Sequence, residues 1–425
     1  MKKKKLGFRL FILSALFIPA LQVLFIVGYN SDYLIRFPFF IAILVLMIIL
    51  FILMFTGLRI YVKNKDLDKR RLKKFPKALL IIFFTIYILG CTAFVGLLYG
   101  PRKNFKEWLI TTAMKTMNHQ YYCKWFYSKE DIEEVLNSNY IIESGDSTDA
   151  SLINHNSSDT YTFENEYEEA VLKRNKDTKY KIIELDVNGC KGYLAVIYDA
   201  SKVKLAVTKY LGRYGQDVTK MAEENNAILA INGGGFYDPG NSSTGGTPNG
   251  ITIADGKIVT KGEYGMQTLA GGIIGFNNDN VLMLLKNKSA EDAINMGIRD
   301  AVTWGPFLIV NGKASFIKGN GGWGYAARTA IGQRQDGIVL LLTVDSDKFR
   351  RKGADMIDLT EIMQRYGAYN AANLDGGTST VMVLPKDKAN AYKTCTDNYC
   401  YINQPIDGEL KPRTRSISDA WIVLE

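Results

Sequence analysis

Histidine is nearly missing from this 425-residue chain: only His119 and His155 occur, and none follows. A Ser-His-Asp or Cys-His mechanism needs an imidazole to move the proton, and a histidine-rich zinc site needs several. Both are excluded from the C-terminal part of the chain. The five cysteines show no Cys–His metal spacing. Acidic residues are scarce at the start: the first hundred residues hold 15 Lys and Arg against 3 Asp and Glu, a charge of +12, and the rest carries −3. The overall +9 is therefore local to the first hundred residues. The nucleic-acid partner that a basic chain would otherwise suggest is excluded.

Those first hundred residues contain three charge-free apolar runs, Leu10 to Tyr29, Phe39 to Leu58 and Ala78 to Tyr99. Each is close to the ~20 residues that cross a bilayer. The first outlasts a signal-peptide core, and Pro19-Ala20-Leu21 makes a poor cleavage site. Basic residues cluster before the first run and between the second and third, from Arg59 to Lys77. The positive-inside rule then predicts a three-helix transmembrane anchor over 1–100. The N-terminus would be cytoplasmic, the protein multi-pass in the plasma membrane, and the C-terminal domain extracellular. Residues 101–179 read as a juxtamembrane helix, Phe105 to Tyr127, and a connector. Within it, Ser144 to Thr162 is rich in Ser, Asp, Asn and Thr and reads as a flexible spacer. Outside the cell disulfides form. Four outer cysteines allow three connectivities, and Cys395 with Cys400, around Thr396-Asp397-Asn398-Tyr399, is the expected pair; reduced thiols are the alternative.

From about residue 180 to 425, short apolar runs alternate with turn signals such as Asp255-Gly256, Asn311-Gly312 and Asp336-Gly337. Only two helices stand out, which predicts a sheet-rich α/β (α+β) domain rather than a βαβ repeat. One helix runs from Asp358, as N-cap, through Leu359, Ile362, Met363 and Tyr366 to Gly367. A small-residue strand follows and ends in Asn373-Leu374-Asp375-Gly376-Gly377-Thr378-Ser379-Thr380. A carboxylate, an amide, backbone N–H groups and hydroxyls thus converge at one strand end, which suits a phosphate or a sugar. Helix, short strand, Asn and glycines recur at Val218 to Ala222 and Asn232-Gly233-Gly234-Gly235-Phe236-Tyr237-Asp238. The two stretches are expected to be half-sites that face each other; the alternative is two unrelated turns.

With no histidine, acid–base chemistry falls to carboxylates, the groups that cleave glycosidic bonds. Arg328, after Gly321-Gly322-Trp323-Gly324, can grip a phosphate through parallel hydrogen bonds or make a structural ion pair. Thr247-Pro248-Asn249-Gly250 and Gly305-Pro306 read as further loops around one pocket.

Taken in order, Ala230-Ile231-Asn232-Gly233-Gly234, Gly305-Pro306, Arg328-Thr329-Ala330-Ile331-Gly332 with Asp336-Gly337, Asn373-Leu374-Asp375-Gly376-Gly377 and Arg415-Ser416-Ile417-Ser418-Asp419-Ala420 resemble the phosphodiester glycosidase family. Its bacterial members include exopolysaccharide-biosynthesis proteins. The resemblance covers roughly 180–425 and implies hydrolysis of a sugar-1-phosphodiester at its glycosidic bond. Carried onto this chain, it implies catalytic roles for Asp375, Asn232 and Arg328. It implies substrate contacts from Gly233, Gly234, Thr329, Gly376, Gly377 and Ser379; Phe236 and Asn249, in the neighbouring glycine and Pro-Asn-Gly loops, are further substrate-binding candidates. Asp238 is a second carboxylate candidate. No cofactor is implied with certainty; Ca²⁺ or Mg²⁺ at Asp375 fits its oxygen chemistry. The extra Gly235 and Val344-Asp345-Ser346, where relatives tend to have Asp-Gly, depart from the pattern. The expected partner is a carbohydrate phosphodiester in surface polysaccharide or cell-wall glycan. A non-catalytic glycan-phosphate-binding module and a metal-dependent phosphodiesterase are the competing readings.

Overall fold

The computed structural model describes residues 37–63, 103–115, 120–154, 163–237, 244–262, 271–347, 353–389, 394–404 and 415–425, with scattered positions in the first hundred. The chain forms two compact units, Met1–Asn137 and Ser138–Glu425.

The first unit contains the helices Phe37–Lys63, Lys103–Met114, Gln120–Phe126 and Lys129–Ser138. The helix expected from Phe105 to Tyr127 is thus two shorter ones. The last three helices close a small core of Ile110, Ala113, Cys123, Tyr127, Ile132 and Val135. An ion pair between Lys106 and Asp131 joins two of them. Among the described residues no helix is long and apolar enough to cross a membrane. The three-span anchor, and with it the multi-pass plasma-membrane placement and the extracellular assignment, is corrected accordingly. An apolar run meets the composition of a span, but a span also needs an unbroken apolar helix of about 20 residues. Much of the first and third runs lies outside the described residues, as do several side chains of Phe37–Lys63.

The second unit is the expected sheet-rich domain. A seven-stranded antiparallel sheet runs, in spatial order, Lys313–Ala314, Phe307–Val310, Ala368–Asn373, Arg328–Arg334, Val339–Val344, Cys190–Ile197 and Tyr180–Val187. A five-stranded sheet orders Tyr399–Tyr401, Met382–Pro385, Leu229–Asn232, Asp419–Val423 and Val203–Val207. Another orders Lys257–Lys261, Ile251–Ala254, Ile298–Trp304, Gly272–Asn277 and Leu282–Leu285.

Side-chain alternation explains how the layers stack. Along Val339–Val344, the odd residues Val339 and Leu341 enter a core shared with Leu229, Ile231, Phe276, Leu284 and Trp421 of the smaller sheets. The even residues Leu340, Leu342 and Val344 face the helix Met356–Arg365 through Leu359, Ile362 and Met363. A strand buried on both faces reads as an unbroken apolar run. Each such side chain contributes about 1.5–3 kcal/mol by burial. The helix starts one turn earlier than expected. Asp355 is its N-cap, accepting from the N–H groups of Ile357 and Asp358, while the Asp358 carboxylate returns to the Asp355 N–H. Gly367 closes it at φ 81°. Cys395 and Cys400 form the expected disulfide; Cys123 and Cys190 form none.

Residues 139–154 are built into this unit, where a flexible spacer was expected from Ser144 onward. Tyr140–Ile142 pairs with Phe316–Lys318, Thr148 exchanges hydrogen bonds with Leu284, and Ile153 enters a core with Ile253 and Leu285. The composition missed this because the segment binds through backbone and short polar groups.

Candidate active site

Three strand ends meet where the seven-stranded sheet joins the five-stranded sheet that contains Leu229–Asn232. Leu229–Asn232 delivers Asn232, Arg328–Arg334 begins with Arg328 and Thr329, and Ala368–Asn373 leads into Asp375. The last strand, Asp419–Val423, lies beside Leu229–Asn232, pairing Ala420 with Asn232. The two glycine turns do face each other. The Asp375 N–H donates to the Gly233 carbonyl at 3.3 Å, and Asn232 Nδ2 donates to the Asp375 carbonyl at 2.7 Å.

Asn232 is fully buried, and its amide is fully engaged. Its Oδ1 accepts from Thr329 Oγ1 at 2.7 Å and from the Val381 N–H at 3.1 Å. Thr329 is equally buried. The pair ties one sheet to the other beneath Asp375, and both residues lie under the site rather than facing into it. Gly233 and Gly234 are set by Asp419. The Gly233 N–H donates to the Asp419 carbonyl, and the Gly234 N–H to Asp419 Oδ1 at 2.7 Å. Asp419 Oδ2 accepts from Ser418 Oγ at 2.6 Å. Phe236 is buried, with the Arg415 guanidinium 4.5 Å from its ring centre. Asn249 donates its N–H to the Gly235 carbonyl, and its buried Oδ1 has no hydrogen-bond partner.

Asp375 is different. It sits in dense surroundings yet stays partly open to solvent, as do Gly376, Gly377 and Thr378. Burial pushes its carboxyl above the ordinary carboxylate range, against the Ser379 hydroxyl, the Arg415 charge, the Gly376 N–H and the Arg328 charge. Burial likewise raises Asp419 to about 6; hydrogen bonds from Ser418 and Gly234 oppose that, and the Asp375 charge adds to it. The Asp375 charge thus disfavours ionisation of Asp419.

Arg328 is almost wholly buried, and burial lowers its guanidinium to about 10 while Asp355 and Asp375 hold it up. It therefore remains charged at neutral pH. Nε donates to the Ala354 carbonyl at 3.2 Å, and Nη2 to those of Trp323 and Gly324 at 2.6 and 2.7 Å. Its Nη1 lies next to Gly376, 3.6 Å from where a Cβ would stand there. Three carbonyls thus fix the guanidinium and turn Nη1 toward the turn. Arg415 Nη1 donates to Thr378 Oγ1 at 3.0 Å. The glycine amides are already occupied: Gly377 N–H binds the Ala327 carbonyl at 2.7 Å, and Gly376 N–H binds the Asp375 carboxylate.

Asp419 and Arg415 were not singled out as site residues from the sequence. Both stand in the terminal Arg415-to-Ala420 stretch, whose place in the motif order was the available signal. Asp238 lies outside the described residues. A divalent cation fits this donor set poorly. It needs several oxygens with net negative charge, whereas Asp375 has two guanidiniums near it, and among the described residues no three His, Cys, Asp or Glu side chains gather as a metal site.

A carboxylate under the influence of two arginines, partly open to solvent at the end of packed sheets, suits an anionic ligand. Residues 225–424 match the phosphodiester glycosidase family model. A relative, the SPbeta prophage-derived uncharacterized protein YomE of Bacillus subtilis (strain 168), is 27% identical over 190 residues. That match takes in 43% of this chain and only 28% of that protein. Among solved structures, the zebrafish N-acetylglucosamine-1-phosphodiester alpha-N-acetylglucosaminidase catalytic domain, auto-inhibited by its pro-peptide, shares 20% identity. The alignment covers 60% of this chain and 86% of that one at a TM-score of 0.46. A putative exported protein of Burkholderia pseudomallei K96243 shares 15%, over 56% and 74%, at 0.38.

Proposed function

We propose that the enzyme cleaves the C–O bond between an anomeric carbon and a phosphodiester, releasing a free sugar and a phosphomonoester. We place its substrate in surface polysaccharide or cell-wall glycan. One arrangement carries this reading: Asp375, half-open to solvent, lies under the influence of both Arg328 and Arg415. Arg328 Nη1, Arg415 and the Thr378 hydroxyl hold the phosphate. A phosphate so held leaves without much protonation, so the strong general acid of ordinary glycosidases is not required. The remaining task is to guide water to the anomeric carbon and to offset the positive charge that develops there, and Asp375 performs it. Ser379 orients its carboxylate. Asn232, Thr329 and Asp419 are positioning residues, holding the two turns in register.

The test is a panel of p-nitrophenyl and UDP-linked sugar phosphodiesters, incubated with the full chain and with Asp375→Ala, with products identified by mass. Free sugar plus phosphomonoester, lost in the variant, is the expected result. Sugar-1-phosphate would instead mean P–O cleavage and overturn the proposal. Binding of glycan phosphate with no turnover would overturn it in favour of a binding module.

A further inference from the structure

The family match begins at residue 225, yet a carboxylate from far upstream reaches the strand Phe307–Val310, which pairs with the strand leading into Asp375. Glu143 Oε1 accepts from the Phe307 N–H at 2.7 Å, and Oε2 pairs with Lys286 Nζ at 2.7 Å; the Glu143 side chain is only 7% exposed. Phe307 stands where the pairing of its strand with Ala368–Asn373 shifts register, between Phe307 and Ile309. At such an irregularity a buried N–H can lose its place in the ladder and needs another acceptor. Glu143 supplies one.

What Phe307 anchors is next to the reacting carboxylate. Phe307 follows the cis Gly305–Pro306 bond. The Pro306 carbonyl accepts from the Asn373 N–H at 2.9 Å, and the Gly305 carbonyl from Asn373 Nδ2 at 2.7 Å. Asn373 leads directly into Leu374-Asp375. The segment carrying Glu143 is itself fastened on both sides. Upstream, Asn139 Oδ1 accepts from the Asn320 N–H at 3.0 Å and Tyr140–Ile142 pairs with Phe316–Lys318. Downstream, the Thr148 N–H donates to the Leu284 carbonyl at 3.1 Å, and the Leu284 N–H to Thr148 Oγ1 at 3.0 Å. Lys286 also donates to the Ser144 carbonyl at 2.9 Å, so the ion pair is locked to the same segment.

We propose that Glu143 is a positioning residue for the glycosidase site, holding the Gly305–Pro306 turn and through Asn373 the height of Asp375. The inference rests on the reading of Asp375 given above, and residues 139–154 become part of the enzyme rather than a tether to it.

The test compares full-length Glu143→Ala, Glu143→Gln and Glu143→Asp. Two readouts are taken: amide exchange by mass spectrometry over residues 304–310 and 371–379, and kcat and KM on the best phosphodiester of the panel. Losing the acceptor from a buried N–H is worth roughly a tenfold change. In Ala, exchange over both peptides is expected to quicken about tenfold, and kcat to fall about as much, with KM within about threefold. Gln keeps an oxygen for the Phe307 N–H and is expected to restore both. Asp keeps the charge but withdraws the oxygen, and is expected to resemble Ala; this pair decides the matter if Ala does not fold. A lowered melting temperature with normal 371–379 exchange and normal kcat would overturn the proposal and leave a purely structural role. Gln behaving no better than Ala would also overturn it. Exchange needs no turnover, so a wild type inactive on the panel would sink the reading of the site while the strut is still decided.

Discussion

The two Asn/Asp-glycine turns look alike in sequence and are opposites in structure. Around Asn232-Gly233-Gly234-Gly235 every residue is buried, and a Cβ would stand 2.1 Å from Asp419 Oδ1 at Gly233 and 1.8 Å from the Trp304 ring at Gly235. Glycine is there because nothing larger fits. Around Asp375-Gly376-Gly377-Thr378 the residues are half-open, and a Cβ on Gly377 would meet nothing within 4 Å. The first turn is a joint between sheets and the second is where a ligand can arrive. A shared pattern therefore reports a shared backbone need, close approach, without saying whether protein or substrate does the approaching.

Substitutions that should act on one turn and spare the other sharpen the contrast. Asp375→Asn keeps the shape and the hydrogen bond with Ser379, so the melting temperature should change little. Yet kcat should fall by about 10²–10⁴-fold, the usual worth of a positioned acid–base group. Full turnover in that variant would remove Asp375 from the chemistry. Asn232→Ala should do the reverse in kind. It leaves the Thr329 hydroxyl, the Val381 N–H and the Asp375 carbonyl without their partner, and loses about 3 kcal/mol or more in denaturant unfolding. Activity per folded molecule should fall less than in Asp375→Asn; an equally large fall with unchanged stability would place Asn232 in the chemistry instead.

Asp419 adds a pH test. Its folded value of about 6 stands above the ordinary 3.8, so the folded state keeps a proton that the unfolded chain releases. Stability from this group is then full below about pH 4 and declines as pH rises to about 6, by about 3 kcal/mol in all. Burial also raises Asp345 and Asp358 to about 6. Asp419→Asn should flatten part of the decline in unfolding free energy between pH 4 and 6, and an unchanged slope would mean that Asp419 is ionised throughout.

Much of this was legible in the chain. Runs such as Val203–Val207 and Phe307–Val310 coincide with strands because an apolar run between turn signals has little else to form. Lys257–Lys261 escaped because it is charged at both ends and lies on a sheet edge, and Ile298–Trp304 because Arg299 and Asp300 break its apolar pattern while pairing with each other in the interior. Within the site, the residue types at Asn232, Arg328 and Asp375 were visible, but their orientations were not. Whether an amide faces a sugar or a threonine depends on a partner 97 residues away. Glu143 was invisible for the same reason, since its acceptor role exists only once Phe307 is in place.

The smallest expected effect is the most direct probe of the contrast. Gly377 adopts φ 63°, a left-handed conformation that costs an alanine roughly 1 kcal/mol. Space is not the obstacle, because nothing lies within 4 Å of the new Cβ. Gly377→Ala should therefore fold with a melting temperature only a few degrees lower. Its methyl group would project into the space beside Asp375 and raise KM for the phosphodiester while stability barely moves. Gly233→Ala, facing Asp419 at 2.1 Å, should destabilise the protein far more. If the two alanines behaved alike in melting temperature and in KM, joint and binding turn would have to be regarded as one device after all.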